Sequence, residues 1–181
     1  MKIAMRGHDK KAALFELSRL YPDARPALHY NSAYELLVAV ILSAQCTDER
    51  VNKVTAELFK EHSTPEKMLG LSQEELEKYI FSCGLYRSKA AHILSASRDI
   101  MEKFGGKVPE SFADLKSLAG VGQKTANVVS SVWFDKDAIA VDTHVFRVSN
   151  RLGLAKANTP LKTEEQLKEA IPKEHWSEAH H

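Results

Sequence analysis

The fold is decided by the stretch Leu115-Lys-Ser-Leu-Ala-Gly-Val-Gly-Gln-Lys-Thr-Ala-Asn-Val-Val129. Two segments with helical patterning meet there at Gly120 and Gly122, which flank Val121. Glycine reaches positive φ without steric cost, so the pair predicts a tight hairpin with exposed backbone N–H groups from Val121 to Gln123. The second helix is predicted to begin at about Gln123, where its positive end favours binding of a phosphate.

Lys124 falls in the first turn of that second helix. Only about one lysine amine in a thousand is uncharged near neutral pH, and only the uncharged form is a nucleophile. A helix N-terminus disfavours the ammonium form, as would partial burial, so the position favours an amine nucleophile beside a bound phosphodiester. The alternative is a solvated lysine on an ordinary hairpin, and a lone Gly-x-Gly does not decide between the two.

Asp142 stands between the apolar run 138–141 and another helical pattern that starts at Thr143. An aspartate at such a boundary predicts a helix N-cap. The same position also favours a rigidly held, ionised carboxylate that faces Lys124, and the two roles are compatible.

These motifs closely resemble the endonuclease III family of the helix-hairpin-helix DNA glycosylase superfamily. The resemblance includes Leu42-Ser-Ala-Gln-Cys-Thr-Asp48, Val51-Asn-Lys53 and Gly84-Leu-Tyr-Arg-Ser-Lys-Ala90, and it extends from about residue 10 to the end. It implies an all-α fold of two helical lobes with a cleft between them. We expect one lobe from residues 26–136 and the other from residues 1–25 together with 137–181.

The resemblance also implies a bifunctional enzyme of base excision DNA repair. Such an enzyme removes oxidised pyrimidines and cleaves abasic sites by β-elimination through a lysine imine, here with Lys124 and Asp142 as catalytic residues. The partner would be double-stranded DNA that contains damaged bases or abasic sites, bound by a monomer. The residues assigned to DNA contact are Gln45, Leu85, Gly120, Val121, Gly122, Gln123, Thr125 and His144.

Two of these contacts have simpler explanations. Taken alone, Gln45 is more typical of a side chain that ties down a turn, and Leu85 of a hydrophobic contact after a helix cap. The resemblance implies instead that Gln45 fills the space left by an extruded nucleotide and that Leu85 wedges into the opposite strand.

Two other functions compete with this one. The first is a monofunctional mismatch or adenine glycosylase of the same superfamily, which Lys124 disfavours. The second is a catalytically impaired DNA-binding fragment, which the combination of Lys124 and Asp142 disfavours.

The sequence departs from the family pattern in two places. Ala119 stands where the hairpin usually has proline, which should affect the rigidity of the turn more than the chemistry. The family also continues into four closely spaced cysteines that hold a four-iron iron–sulfur cluster, whereas this sequence contains only Cys46 and Cys83. We therefore expect an incomplete C-terminal lobe and no cofactor in this chain, with a cluster only if a further segment supplies four cysteines.

Composition limits the remaining possibilities. A net charge of +1 means that DNA affinity must come from locally arranged groups and not from a global basic field. The two cysteines lie in helical patterns without metal-site spacing, which predicts buried reduced thiols. The histidines near the end do not share one helix face, so no metal site is expected. No apolar stretch reaches membrane-spanning length, and we expect a cytoplasmic protein, associated with the nucleoid in a prokaryote.

Apolar spacing, caps and breakers predict a succession of helices. Their ranges are 10–20, 34–44, 48–61, 65–69, 72–84, 88–104, 111–118, 123–134, 143–152 and 160–170, with a last helix starting at Glu174. The helix over 34–44 is apolar on most faces, which predicts that it lies in the core.

Overall fold

The computed structural model describes residues 7–22 and 27–176, and every regular element in this part of the chain is helical. The all-α prediction is confirmed. The ten α-helices of the described residues are α1 (Gly7–Leu20), α2 (Ala33–Ser43), α3 (Asp48–Leu58), α4 (Pro65–Met68), α5 (Gln73–Ile80), α6 (Tyr86–Phe104), α7 (Phe112–Ser117), α8 (Gln123–Val132), α9 (Thr143–Leu152) and α10 (Pro160–Ala170).

The chain divides into two compact units. The central unit comprises residues 27–134 and contains α2 to α8, whereas the terminal unit comprises residues 1–26 and 135–181. No helix of the described residues is long and apolar enough to cross a membrane.

Helix α2 is the core of the central unit, as its apolar sequence predicted. Nine consecutive residues of this helix, from Tyr34 to Leu42, are buried. Ser32 caps its first turn by accepting a hydrogen bond from the N–H of Glu35 at 3.1 Å. A helix buried on all faces needs neighbours on all sides, and α3, α6 and α8 supply them.

Buried hydroxyls also join α2 to α6. The Tyr34 hydroxyl lies 2.5 Å from Ser97 Oγ, which in turn donates to the carbonyl of Ile93 at 2.6 Å. Burial raises the pKa of Tyr34 well above its ordinary value.

The terminal unit has a second, smaller core made from both ends of the chain. Its buried residues are Ile139, Val141, Leu154, Ala155, Leu167 and Ile171. Ala13, Leu14 and Leu17 of α1 pack against them, and Lys10 Nζ donates to the carbonyl of Leu154 at 3.0 Å. Residues that are far apart in sequence therefore hold α9 and α10 in place.

Several predicted boundaries were wrong. Helix α5 ends at Ile80 and not at residue 84, and α6 begins at Tyr86 and not at residue 88. The final predicted helix is a short 3₁₀ turn, Lys173–His175, and the rest of that predicted helix lies outside the described residues. The cysteines also differ from expectation, because both lie outside helices and only Cys83 is fully buried.

Candidate functional site

The hairpin closes tightly between α7 and α8. Gly120 has φ +76°, and the N–H of Val121 donates to the carbonyl of Leu118 at 3.1 Å. A Cβ on Gly120 would lie 2.8 Å from the Cβ of His92. Only glycine therefore fits this turn, both because of its φ and because of its close approach to α6.

The two glycines have different structural roles, and the sequence alone did not distinguish them. Gly122 has φ −89° and ψ −175°, an extended backbone that any residue adopts, so of the two glycines only Gly120 uses a positive φ. It is the N-cap of α8, no side chain caps the helix there, and no atom lies within 4 Å of its would-be Cβ. The backbone at the start of α8 is therefore open to close approach by another molecule.

The predicted set of exposed hairpin N–H groups needs one correction. The N–H of Val121 is used inside the turn by its bond to Leu118, so it is not part of the N-terminal turn of α8. The helix proper starts at Gln123, whose Oε1 accepts from Lys116 Nζ at 3.3 Å.

Lys124 is the second residue of α8, and its side chain is exposed. Burial therefore does not act on this amine. What the structure does provide is proximity to the positive end of α8, which favours anions beside this amine. Thr125 follows and is half-buried.

Two exposed loop residues share an unusual backbone conformation in the central unit. Among the described residues, only Gln45, Leu85 and Asp135 have positive φ without being glycine. Gln45 has φ 54° and Leu85 has φ 59°, and the Leu85 side chain is 62% exposed. A left-handed leucine is disfavoured by a Cβ clash, so its surroundings must hold it there.

The structure brings these two loops together. A Cβ on Gly84 would lie 3.1 Å from the carbonyl oxygen of Gln45, so the two backbones are adjacent. Leu85 is also the N-cap of α6, the helix whose His92 contacts the hairpin at Gly120. Helix α6 therefore positions both the Leu85 loop and the hairpin.

Sequence reasoning missed a buried lysine beneath this loop pair. Lys89 is 4% exposed, and its Nζ donates to the carbonyl of Leu42 in the last turn of α2 at 2.8 Å. This bond satisfies a carbonyl that the helix leaves unpaired and fixes the point where the Gln45 loop begins. Burial lowers the pKa of Lys89. Local sequence gave no signal for it, because a lysine in an amphipathic helix is normally solvated.

The remaining predicted residues lie in the terminal unit. Asp142 is the N-cap of α9, and its Oδ1 accepts from the N–H groups of His144 and Val145, both at 2.8 Å. The predicted cap is confirmed. The exposed His144 has its Nδ1 3.3 Å from Nη2 of Arg147, which places a cationic group beside it. Lys124 and Asp142 thus come from different units, and their catalytic roles stay predictions.

Comparisons with known proteins identify the family. A model of the HhH-GPD superfamily of base excision DNA repair proteins matches residues 38–173. The chain belongs to this superfamily.

Several relatives of this HhH-GPD protein are endonucleases III. Endonuclease III of Bacillus subtilis is 48% identical over 169 residues, which cover 93% of this chain and 77% of the relative. Endonuclease III of Haemophilus influenzae is 47% identical over 168 residues, covering 93% of this chain and 80% of the relative. The predicted family is confirmed.

Solved structures agree. A trapped covalent intermediate of endonuclease III with DNA matches with a TM-score of 0.95 and 47% identity, covering 98% of this chain and 84% of the other. The predicted class of function is also confirmed: the chain is a base excision repair enzyme, a DNA glycosylase and abasic-site lyase, and DNA is its partner.

The residues of this sequence do not fit the iron–sulfur cluster of the family. A four-iron cluster takes four thiolates, whereas this sequence has two cysteines, both in the central unit. Across residues 7–22 and 27–176, no group of three or more His, Cys, Asp or Glu side chains could hold a metal ion.

Proposed function

We propose that the protein removes oxidised pyrimidines from double-stranded DNA and cleaves the resulting abasic site through an imine formed by Lys124. The observation that carries this proposal is the position of Lys124. An exposed amine in the first turn of α8 stands beside a glycine cap whose surroundings are open. A phosphodiester held at this helix end brings its own deoxyribose close to the amine.

The chemistry starts with extrusion of the nucleotide, because the sugar carbon cannot be reached while the base is stacked. In the proposal, Leu85 unstacks the neighbouring step and Gln45 occupies the space that the base leaves. Their adjacent backbones and exposed side chains support this assignment, since the two residues would act on the same few base pairs.

Lys124 Nζ then attacks the anomeric carbon, and the damaged base leaves with the bonding electron pair. The nitrogen loses a proton and its lone pair opens the ring C1′–O4′ bond, O4′ takes up a proton, and a protonated imine forms. The imine makes the adjacent C2′ proton acidic, so its loss expels the 3′ phosphate and breaks the strand. Asp142 is proposed to stabilise the positive charge that develops on the sugar and to help the lysine lose its proton. Its bonds to two backbone N–H groups support this role, because they hold the carboxylate in a fixed orientation.

His144 is proposed to contact DNA through its exposed ring, together with the neighbouring Arg147. The backbone of Gly122 and the start of α8, with Thr125, are proposed to bind phosphate. The preference for oxidised pyrimidines, the monomeric state and the cytoplasmic location also stay predictions.

The test is to trap the imine. The protein is incubated with a duplex that contains one abasic site, and borohydride is added to reduce the imine to a stable amine. We expect a covalent protein–DNA adduct, which Lys124→Gln abolishes.

Lys116→Gln is the matched control, since Lys116 is an exposed lysine of the same hairpin. An adduct that survives in Lys124→Gln would reject Lys124 as the nucleophile. On a second duplex that carries an oxidised pyrimidine, base release by the parent protein without any adduct would instead support a monofunctional glycosylase.

A further inference from the structure

The two cysteines of the chain meet at the base of the Gln45 and Leu85 loops. Cys46 follows Gln45 and is half-buried, whereas Cys83 precedes Gly84 and is completely buried. Both are free thiols, and the fold brings them close together. The backbone of Gln45 lies against that of Gly84, and Cys46 packs against the hydrophobic core to which Cys83 belongs. Because the sequence has no other cysteine, neither thiol has an alternative partner within the chain.

We propose that Cys46 and Cys83 form an oxidation site that peroxide converts to a disulfide, and that the disulfide suppresses action on DNA. The effect on DNA rests on the proposed roles of Gln45 and Leu85. The formation of the disulfide does not depend on those roles.

The oxidation takes two balanced steps. Cys46, the more accessible thiol, attacks one oxygen of hydrogen peroxide, so that the O–O bond breaks, the sulfur becomes a sulfenic acid and one water is released. Cys83 then attacks the sulfenic sulfur, the S–S bond forms, and the hydroxyl leaves with the Cys83 proton as a second water. Peroxide is reduced by two electrons, which the two sulfurs supply.

The surroundings assign the order of the two thiols. Burial, together with the neighbouring Cys46 thiol, raises the pKa of Cys83 to about 11, so this thiol is protonated and poorly reactive towards dissolved peroxide. The charged groups that act on it are Lys89 and Arg50, and both stabilise a thiolate. Lys89 is buried, and so it can assist the second step out of contact with solvent.

Forming the bond must move the Gln45 loop. Because both thiols are free, their sulfurs lie farther apart than the roughly 2.05 Å of a disulfide bond and have to approach each other to become bonded. Cys83 is fully enclosed in the packed core, whereas Ala44 and Gln45 are exposed and follow the end of α2. The displacement therefore falls on Gln45, and a shift of about 1 Å at a positioned side chain can cost as much as 10²-fold in rate.

The experiment treats the full chain with excess hydrogen peroxide and follows it by intact mass and by peptide mapping without reductant. We expect a monomer that has lost two hydrogen atoms, with one peptide containing Cys46 linked to one containing Cys83. Imine trapping on abasic-site DNA should fall at least about tenfold and recover after dithiothreitol. Cys46→Ser and Cys83→Ala should each keep trapping activity when peroxide is present.

Three results would overturn the proposal. One is a Cys46 that goes on to sulfinic acid without a cross-link, and another is a disulfide between two copies of the chain. The third is an intramolecular disulfide that leaves trapping unchanged. A reduced protein without any trapping activity would overturn the proposed lysine chemistry instead, and peptide mapping would still decide whether the disulfide forms.

Discussion

At the residue scale, the hairpin separates two uses of glycine. Gly120 is needed for its positive φ and for its contact with His92, whereas Gly122 has ordinary extended angles and open surroundings. The first glycine serves the fold, and the second leaves room for a phosphate beside the start of α8. Substituting the two glycines therefore tests the fold and the binding separately.

Gly120→Ala should lower the stability of the protein by about 1–3 kcal/mol, because alanine is strained at this φ and its methyl group meets His92. Gly122→Ala should change stability by less than about 1 kcal/mol, since its angles suit alanine. Urea unfolding followed by circular dichroism measures the stability of both variants.

Binding of abasic-site DNA should weaken in Gly122→Ala although its fold is intact, and unchanged binding would place the phosphate elsewhere.

Asp142→Asn separates catalysis from capping. Asparagine is as good an N-cap as aspartate, so α9 should persist and the free energy of unfolding should fall by less than about 1 kcal/mol. Without the negative charge, imine formation should slow by about 10²-fold or more, because an asparagine cannot stabilise a developing cation in the same way. Single-turnover imine trapping measures the chemical step, and equilibrium binding to abasic-site DNA measures the binding step. The two assays together show which step the substitution affects. A loss of binding with unchanged trapping rate at saturation would make Asp142 a structural cap only.

At the element scale, helix boundaries were predictable wherever a side chain marks them. Asp142 and Gly153 bound α9, and Thr159 with Pro160 starts α10, so both ranges were read correctly. The start of α6 was missed because Leu85, which caps it, has no side-chain hydrogen bond to announce a cap. Its left-handed backbone is set by tertiary packing and not by local preference.

The buried polar contacts of α2 could not be predicted from the sequence either. Lys89 meets Leu42 across 47 positions, and Tyr34 meets Ser97 across 63. Periodicity identifies which face of a helix is buried, but it does not say which distant polar group pairs there. The predicted site residues could be named from motifs, whereas the parts that hold the Gln45 loop in place could not.

Tyr34→Phe tests how the α2–α6 contact responds to pH. Near neutral pH the variant should lose about 0.5–1.5 kcal/mol, the net value of one hydrogen bond. Burial raises the pKa of the Tyr34 phenol in the folded protein above its value of about 10 in the unfolded chain. The phenol therefore stabilises the fold fully below about pH 10, and this stabilisation is lost as pH rises towards the pKa in the folded protein. The difference in free energy of unfolding between the parent protein and Tyr34→Phe should therefore shrink above about pH 10. Urea unfolding at about pH 8 and about pH 11, with the exposed Tyr79→Phe as control, measures the difference.

At the scale of the whole molecule, the proposed chemistry draws on both units. The central unit supplies Lys124, Gln45 and Leu85, and the terminal unit supplies Asp142 and His144. Each unit has its own hydrophobic core, with Ile100 in the first and Leu167 in the second. A net charge of +1 leaves DNA affinity to these local groups, so damage to one unit should impair the steps that its own residues perform.

Leu167→Ala and Ile100→Ala form a matched pair for this division, because both side chains are almost fully buried, at 2% and 0% exposure. Each truncation should cost about 2–5 kcal/mol through lost burial and the cavity it leaves. If the two cores are separate, Leu167→Ala should speed amide hydrogen exchange in α9 and α10 while α2 and α6 keep their protection, and Ile100→Ala should do the reverse. Faster exchange throughout the chain in both variants would mean that the units unfold as one, and that Asp142 and Lys124 are held by a single cooperative structure.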